Sequence, residues 1–127
     1  MNEFDQFIKH KLKIKYYIRY AGDFVIFSNS KIRPLENIRY IVCFLKEELS
    51  LLLHSEKVFI KTLFSGVDFL GWIHFPAHRV LRTATKKRML RAMNGKASRE
   101  TVVSYLGMLK RGNTKKIQEK LWNYYKL

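Results

Sequence analysis

This chain has a single cysteine, Cys43, which excludes an internal disulfide. Cys43 lies in an apolar helical pattern that reads it as a small core residue. The four histidines, His10, His54, His74 and His78, are widely spaced, which excludes a zinc-finger pattern. No apolar run approaches the ~18 residues of a membrane span. The start, MNEFDQFIKH, has an early Glu3 and Asp5 and no long apolar segment, so it is not a signal peptide. Together these absences point to a reducing cytoplasm and no membrane. There is no internal repeat and no low-complexity segment. Acidic residues are scarce, 10 against 25 Lys and Arg, which leaves a formal net charge of +15.

What is present suits one domain-sized fold of 127 residues. Hydrophobic residues make up 47% of the chain and aromatics 14%, enough for a core and too many for disorder throughout. The charge is one-sided. Residues 1–76 hold 11 Lys and Arg against 8 Asp and Glu, whereas residues 77–127 hold 14 against 2. So unbalanced a segment favours phosphates as partners over a merely solvated surface.

The pattern along the chain predicts an α+β fold. Phe4, Phe7 and Ile8 share a helical face within residues 2–12. Lys15 to Ala21 and Phe24 to Ser28 form a hairpin with Gly22-Asp23 at its tip, a pair suited to a tight turn. Ser28-Asn29-Ser30 offers caps, and Pro34 suits a first helical turn. Ile38, Ile41, Val42, Leu45, Leu49 and Leu52 continue a helical stripe. Lys57 to Phe64 and Phe69 to Phe75 read as two strands joined at Ser65-Gly66-Val67-Asp68. Composition shifts near Pro76, which sets a boundary between 1–76 and 77–127. Beyond it, residues 84–94 form a basic helix ending at Asn94-Gly95. Ser98 caps a second helix with Val102, Val103, Tyr105, Leu106 and Leu109. Gly112-Asn113-Thr114 breaks and recaps a third, with Ile117, Leu121, Trp122 and Tyr125.

Five segments, in order, resemble reverse transcriptases. MNEFDQF at 1–7 resembles the end of the palm helix. YIRYAGDFVIF, Tyr17 to Phe27, resembles the hairpin whose Tyr-X-Asp-Asp holds catalytic magnesium. LLLHSEK, Leu51 to Lys57, resembles the segment with a lysine beside the incoming nucleotide. GVDFLGW, Gly66 to Trp72, resembles the primer grip. RVLRTATKKRMLRAM and SYLGMLKRGN resemble the helical thumb of group II intron, retron and diversity-generating retroelement enzymes, with wording that leans to the last. The resemblance implies a partial palm (two β-hairpins plus a packed helix) over 1–76 and a three-helix thumb over 77–127. It also implies that the fingers and the first palm strand lie outside this chain, as in a truncated product or one piece of a split enzyme.

By that resemblance Asp23 is the second carboxylate of the catalytic pair and a Mg2+ ligand, and Lys57 serves the nucleotide's phosphates or pyrophosphate. Gly22 stands where the first carboxylate belongs and supplies no side-chain oxygen. Two-metal catalysis needs carboxylates around two ions ~3.5–4 Å apart, so the isolated chain is expected to be inactive. Phe69, Leu70 and Gly71 would face the primer end. Arg79, Arg82, Lys86, Lys87, Arg88 and Arg91, extended by Lys110, Arg111, Lys115 and Lys116, would line an RNA–DNA or DNA duplex through its backbone, alongside an RNA template. The other reading is a non-catalytic module binding RNA or hybrid duplex. An aromatic-rich hairpin edge at 15–28 invites pairing with a missing N-terminal half or a second copy.

Overall fold

The structure, a computed structural model, describes residues 1–95 and 97–126, the side chains of 124–126 excepted. The chain is α+β, as the sequence pattern predicts, with five helices and two small antiparallel sheets among the described residues. It divides into two compact units, Met1–Ile60 and Lys61–Leu127. The boundary predicted at 76/77 therefore falls inside the second unit, where Pro76 lies between two strands of one sheet.

In the first unit, helix α1 (Asn2–Gln6) runs on as a wide π-type turn over Phe7–Lys11. A hairpin of β1 (Tyr16–Tyr20) and β2 (Asp23–Phe27) follows, then α2 (Ile32–Leu49). Phe4, Ile8, Ile14, Ile41 and Leu45 are buried together, with Phe24, Ile26 and Phe44 packed against them. Phe4 meets Phe24 edge-on with ring centroids 5.1 Å apart, and Phe7 stacks on Phe44 at 4.1 Å. Such pairs add roughly 0.5–1.5 kcal/mol each beyond the area they bury. The two-residue period turns Tyr17 and Arg19 inward and leaves Tyr16, Ile18 and Tyr20 exposed.

Arg19 and Tyr17 both reach the Asp5 carboxylate. Arg19 Nε donates to Oδ1 at 2.7 Å and its Nη2 to Oδ2 at 2.6 Å, a two-pronged pair, while the Tyr17 hydroxyl donates to Oδ1 at 2.7 Å. Arg19 Nη1 also donates to the Ala21 carbonyl at 2.9 Å, so one guanidinium ties α1 to the hairpin tip.

Several local readings change. Serine capping precedes α2 but acts one step early: Ser30 Oγ accepts from Ile32 N–H. The α2 stripe narrows to Ile41 and Leu45 with Ile38, Phe44 and Leu49 half-buried, while Val42 and Cys43 are exposed. Cys43 sits ~200° around the helix from Ile41, which puts it on the solvent side. Its thiol is pushed up from its ordinary pKa by a hydrogen bond with Glu47. Ser50 takes a left-handed conformation and ends the helix before Leu52. Lys57 to Phe64 is no strand. It runs between two 3-10 turns, Ser55–Lys57 and Leu63–Ser65, and exposes Phe59 (69%) and Phe64 (82%).

In the second unit, β3 (Val67–Phe69), β4 (Trp72–His74) and β5 (Arg79–Leu81) form a sheet in that order. The predicted turn at Ser65–Asp68 moves to Leu70-Gly71, because Phe69 pairs with Trp72. Gly66 is buried instead, where an added Cβ would stand 2.7 Å from Ile73 Cγ2. Three helices follow as the sequence predicts: α3 (Thr83–Asn94), α4 (Arg99–Leu109) and α5 (Lys115–Lys126). Ser98 Oγ accepts from Thr101 N–H and caps α4. Trp72, Leu81, Met89, Met93, Val102, Leu109 and Leu121 form the core. Val103 and Trp122 are exposed, and the Tyr125 side chain lies outside the described residues.

The Asp5 contact has a pH signature. The Arg19 hydrogen bonds, joined by that of Tyr17, hold the Asp5 carboxyl down at about 2. A depressed carboxyl pKa stabilises the fold fully above the unfolded value of about 3.9, and that stabilisation is lost as pH falls through about 2. Carboxyl NMR is therefore expected to find Asp5 titrating near 2 in the parent chain, and near 4 in Arg19→Gln. A parent midpoint near 4 would rule out the contact.

A candidate nucleic-acid interface

The hairpin tip carries the resemblance to a polymerase. Tyr20 pairs with Asp23, so the two turn residues are Ala21 and Gly22 and Asp23 opens β2. The positive φ (50°) belongs to Ala21, and Gly22 is not the residue that needs it. A Cβ at Gly22 would meet nothing within 4 Å. Asp23 is exposed, and no hydrogen bond or ion pair joins it to Lys57 among the described residues. Lys57 ends a 3-10 turn, exposed, rather than starting a strand.

Magnesium takes oxygen ligands in near-octahedral geometry, and a two-metal site takes several carboxylates. The tip offers one. No group of three or more His, Cys, Asp or Glu capable of holding a metal ion occurs among the described residues. The donor set does not fit a polymerase metal pair, and no chemical step follows from it.

The second unit differs in kind. Leu70 and Gly71 form the β3–β4 turn, both with positive φ (54° and 82°), the backbone of a type I′ hairpin. The close approach at Gly71 is to α3: an added Cβ would lie 3.3 Å from Thr85 Oγ1. Arg82 precedes α3, its N–H donating to the Gly71 carbonyl at 3.0 Å and its Nε pairing with Asp68 at 3.0 Å. Lys86, Lys87, Arg88 and Arg91 are exposed on α3. Neither α3 nor α5 has an acidic residue in its first turn, and α5 opens on Lys115-Lys116. Cations at a helix N-terminus oppose the helix dipole by roughly 0.3–1 kcal/mol.

Three more of the candidate cations meet in one place. Arg79, Lys110 and Arg111 line an open cleft of about 570 Å3 with His74, His78 and Asn113. The cleft is built by packing. Gly112 presses on the Trp72 indole so closely that a Cβ there would stand 2.2 Å from Cζ3. Asn113 N–H donates to the Arg79 carbonyl at 3.0 Å, and Arg79 Nε donates to the Arg111 carbonyl. The Arg79 guanidinium carbon lies 5.0 Å from the Trp72 ring centroid, within cation–π range. Thr114 Oγ1 and Gln118 Nε2 both donate to the Leu109 carbonyl, which fixes the loop's far end. No carboxylate pairs with Arg79, Lys110 or Arg111 among the described residues.

His74, His78 and Asn113 are not among the candidate site residues that the sequence points to. The available signal is Phe75-Pro76-Ala77-His78, with proline at the second position of a β-turn; Phe75 N–H donates to the His78 carbonyl at 2.8 Å.

No protein-family model matches this chain, and no curated protein is significantly similar to it.

Two substitutions test this architecture. Gly112→Ala should destabilise the chain by about 1–3 kcal/mol through overpacking on Trp72, read as a lowered thermal midpoint; an unchanged midpoint would remove the contact. Leu70→Asn should raise stability by about 0.5–1 kcal/mol, since leucine is strained at positive φ where asparagine is not. Destabilisation by Leu70→Asn would mean that the turn is wrongly placed.

Proposed function

We propose that this chain corresponds to the later palm and the thumb of a reverse transcriptase, and that its second unit binds the backbone of an RNA–DNA or DNA duplex without itself polymerising. The observation that carries the reading is the unbalanced charge of the second unit. Residues 61–127 hold 15 Lys and Arg against 3 Asp and Glu. One of those acids, Asp68, is already paired with Arg82. Among the described residues no ion pair joins Lys86, Lys87, Arg88 or Arg91 to an acid, the condition that favours phosphate contact over a solvated face. The resemblance of five ordered segments supplies the family, and Gly22 supports the non-catalytic reading.

On this reading Lys86, Lys87, Arg88 and Arg91 hold phosphates, and the strained Leu70-Gly71 turn is the hairpin nearest in character to a primer grip. Recognition is of backbone and A-form shape, without base reading. No helix among the described residues is long and apolar enough to cross a membrane, and a reducing cytoplasm is the proposed location.

The test is binding of a labelled RNA–DNA hybrid across a salt series. Affinity should fall by roughly 10³-fold or more between about 50 and 200 mM salt if six or more phosphates are neutralised. Replacing Lys86, Lys87 and Arg88 by Gln should flatten that slope. A slope near zero in the parent chain would remove the assignment. Primer extension with magnesium should be absent for the parent chain and for Gly22→Asp alike; extension by either would overturn the non-catalytic reading.

A further inference from the structure

The basic cleft of the second unit contains a feature that duplex binding does not use. Phe75 and His78 close a four-residue turn, and their rings stack with centroids 4.8 Å apart and planes 14° from parallel. Phe75 is half-buried while His78 is exposed and lines the cleft. One face of the imidazole is thus covered by Phe75, which holds the ring flat. Across the same cleft stand Lys110 and Arg111, and Arg79 is held in place by the Arg111 carbonyl and the Trp72 ring.

An immobilised aromatic plane beside unpaired cations is the combination that takes a splayed base and its phosphate. The cleft is broad and open, a surface on which a base can lie rather than a cavity that encloses one. A base inside a duplex is covered on both faces by its neighbours and cannot stack here. We propose that this cleft takes an unpaired nucleotide of a single-stranded nucleic acid, its base stacked on His78 and its phosphates held by Lys110 and Arg111. The inference rests on the nucleic-acid reading above and extends it from duplex to single strand. Nothing in the cleft is a buried polar reader of base edges, so the site tolerates sequence and favours the larger purine rings.

The test uses the full chain and three probes: a ten-nucleotide single-stranded RNA, the hybrid duplex, and a nucleoside 5′-monophosphate. His78→Ala should weaken single-strand binding about tenfold and leave the duplex unchanged, while His78→Phe should retain single-strand affinity because it keeps the plane. Unchanged strand binding in His78→Ala would overturn the proposal, as would a loss in His78→Phe as large as that in His78→Ala. Monophosphate binding as tight as the oligonucleotide would overturn a polymeric ligand. Failure of the parent chain to bind duplex while His78→Ala still weakens the single strand would sink the duplex reading and leave this one standing.

Discussion

The second unit is organised by a steric constraint: at residue 112 there is room for a hydrogen and nothing larger. That lack of room lets the loop between α4 and α5 lie directly on the Trp72 indole. From this contact follow the Asn113–Arg79 backbone bond and the placing of Arg79 against the same ring. Trp72 and Leu81 carry the sheet into the core formed with Met89, Leu109 and Leu121. Arg79 and the Lys110-Arg111 pair, 32 residues apart along the chain from Arg79 to Arg111, are brought to one cleft by apolar packing. Like charges gathered in this way repel one another, and a polyanion turns that repulsion into attraction.

The first unit handles charge in the opposite manner. Its Asp5 is enclosed by Arg19 and Tyr17, so the acid and base satisfy each other and lock a helix to a hairpin. Burial, then the Asp5 bond, raises the Tyr17 hydroxyl well above its usual range. The Arg19 guanidinium is held more firmly charged by its bonds to Asp5. Here the ionic pair is structural. In the second unit Arg79, Lys110 and Arg111 share one cleft, and no ion pair joins them to a carboxylate among the described residues.

Much of this arrangement was readable in the residues, and what was not has physical causes. The β1–β2 hairpin and the three C-terminal helices emerged because their apolar periods are long and their caps, such as Ser98, are chemically distinct. The stretch Lys57 to Phe64 misled because β-branched and aromatic residues suggest a strand, yet a strand needs a partner and a buried face. The turn at Leu70-Gly71 was hidden because leucine is an unusual choice at positive φ. β5 is three residues long, too short for any period. The cleft was not legible, since its walls meet through the Gly112–Trp72 contact and the Arg79 hydrogen bonds to the 111–113 loop, properties of space and not of sequence spacing. Asp23, Lys57 and the α3 basics were named from resemblance. Their exposure is visible in the structure, whereas a polymerase metal set is not assembled from the donors at the tip.

The open space around Gly22 leaves the position free to vary without disturbing the hairpin. The turn's backbone demand falls on Ala21, and nothing crowds position 22. Folding therefore places no premium on glycine there and no penalty on a carboxylate. A larger side chain at this position meets no steric obstacle in the hairpin. The hairpin can outlast the chemistry that its sequence resembles.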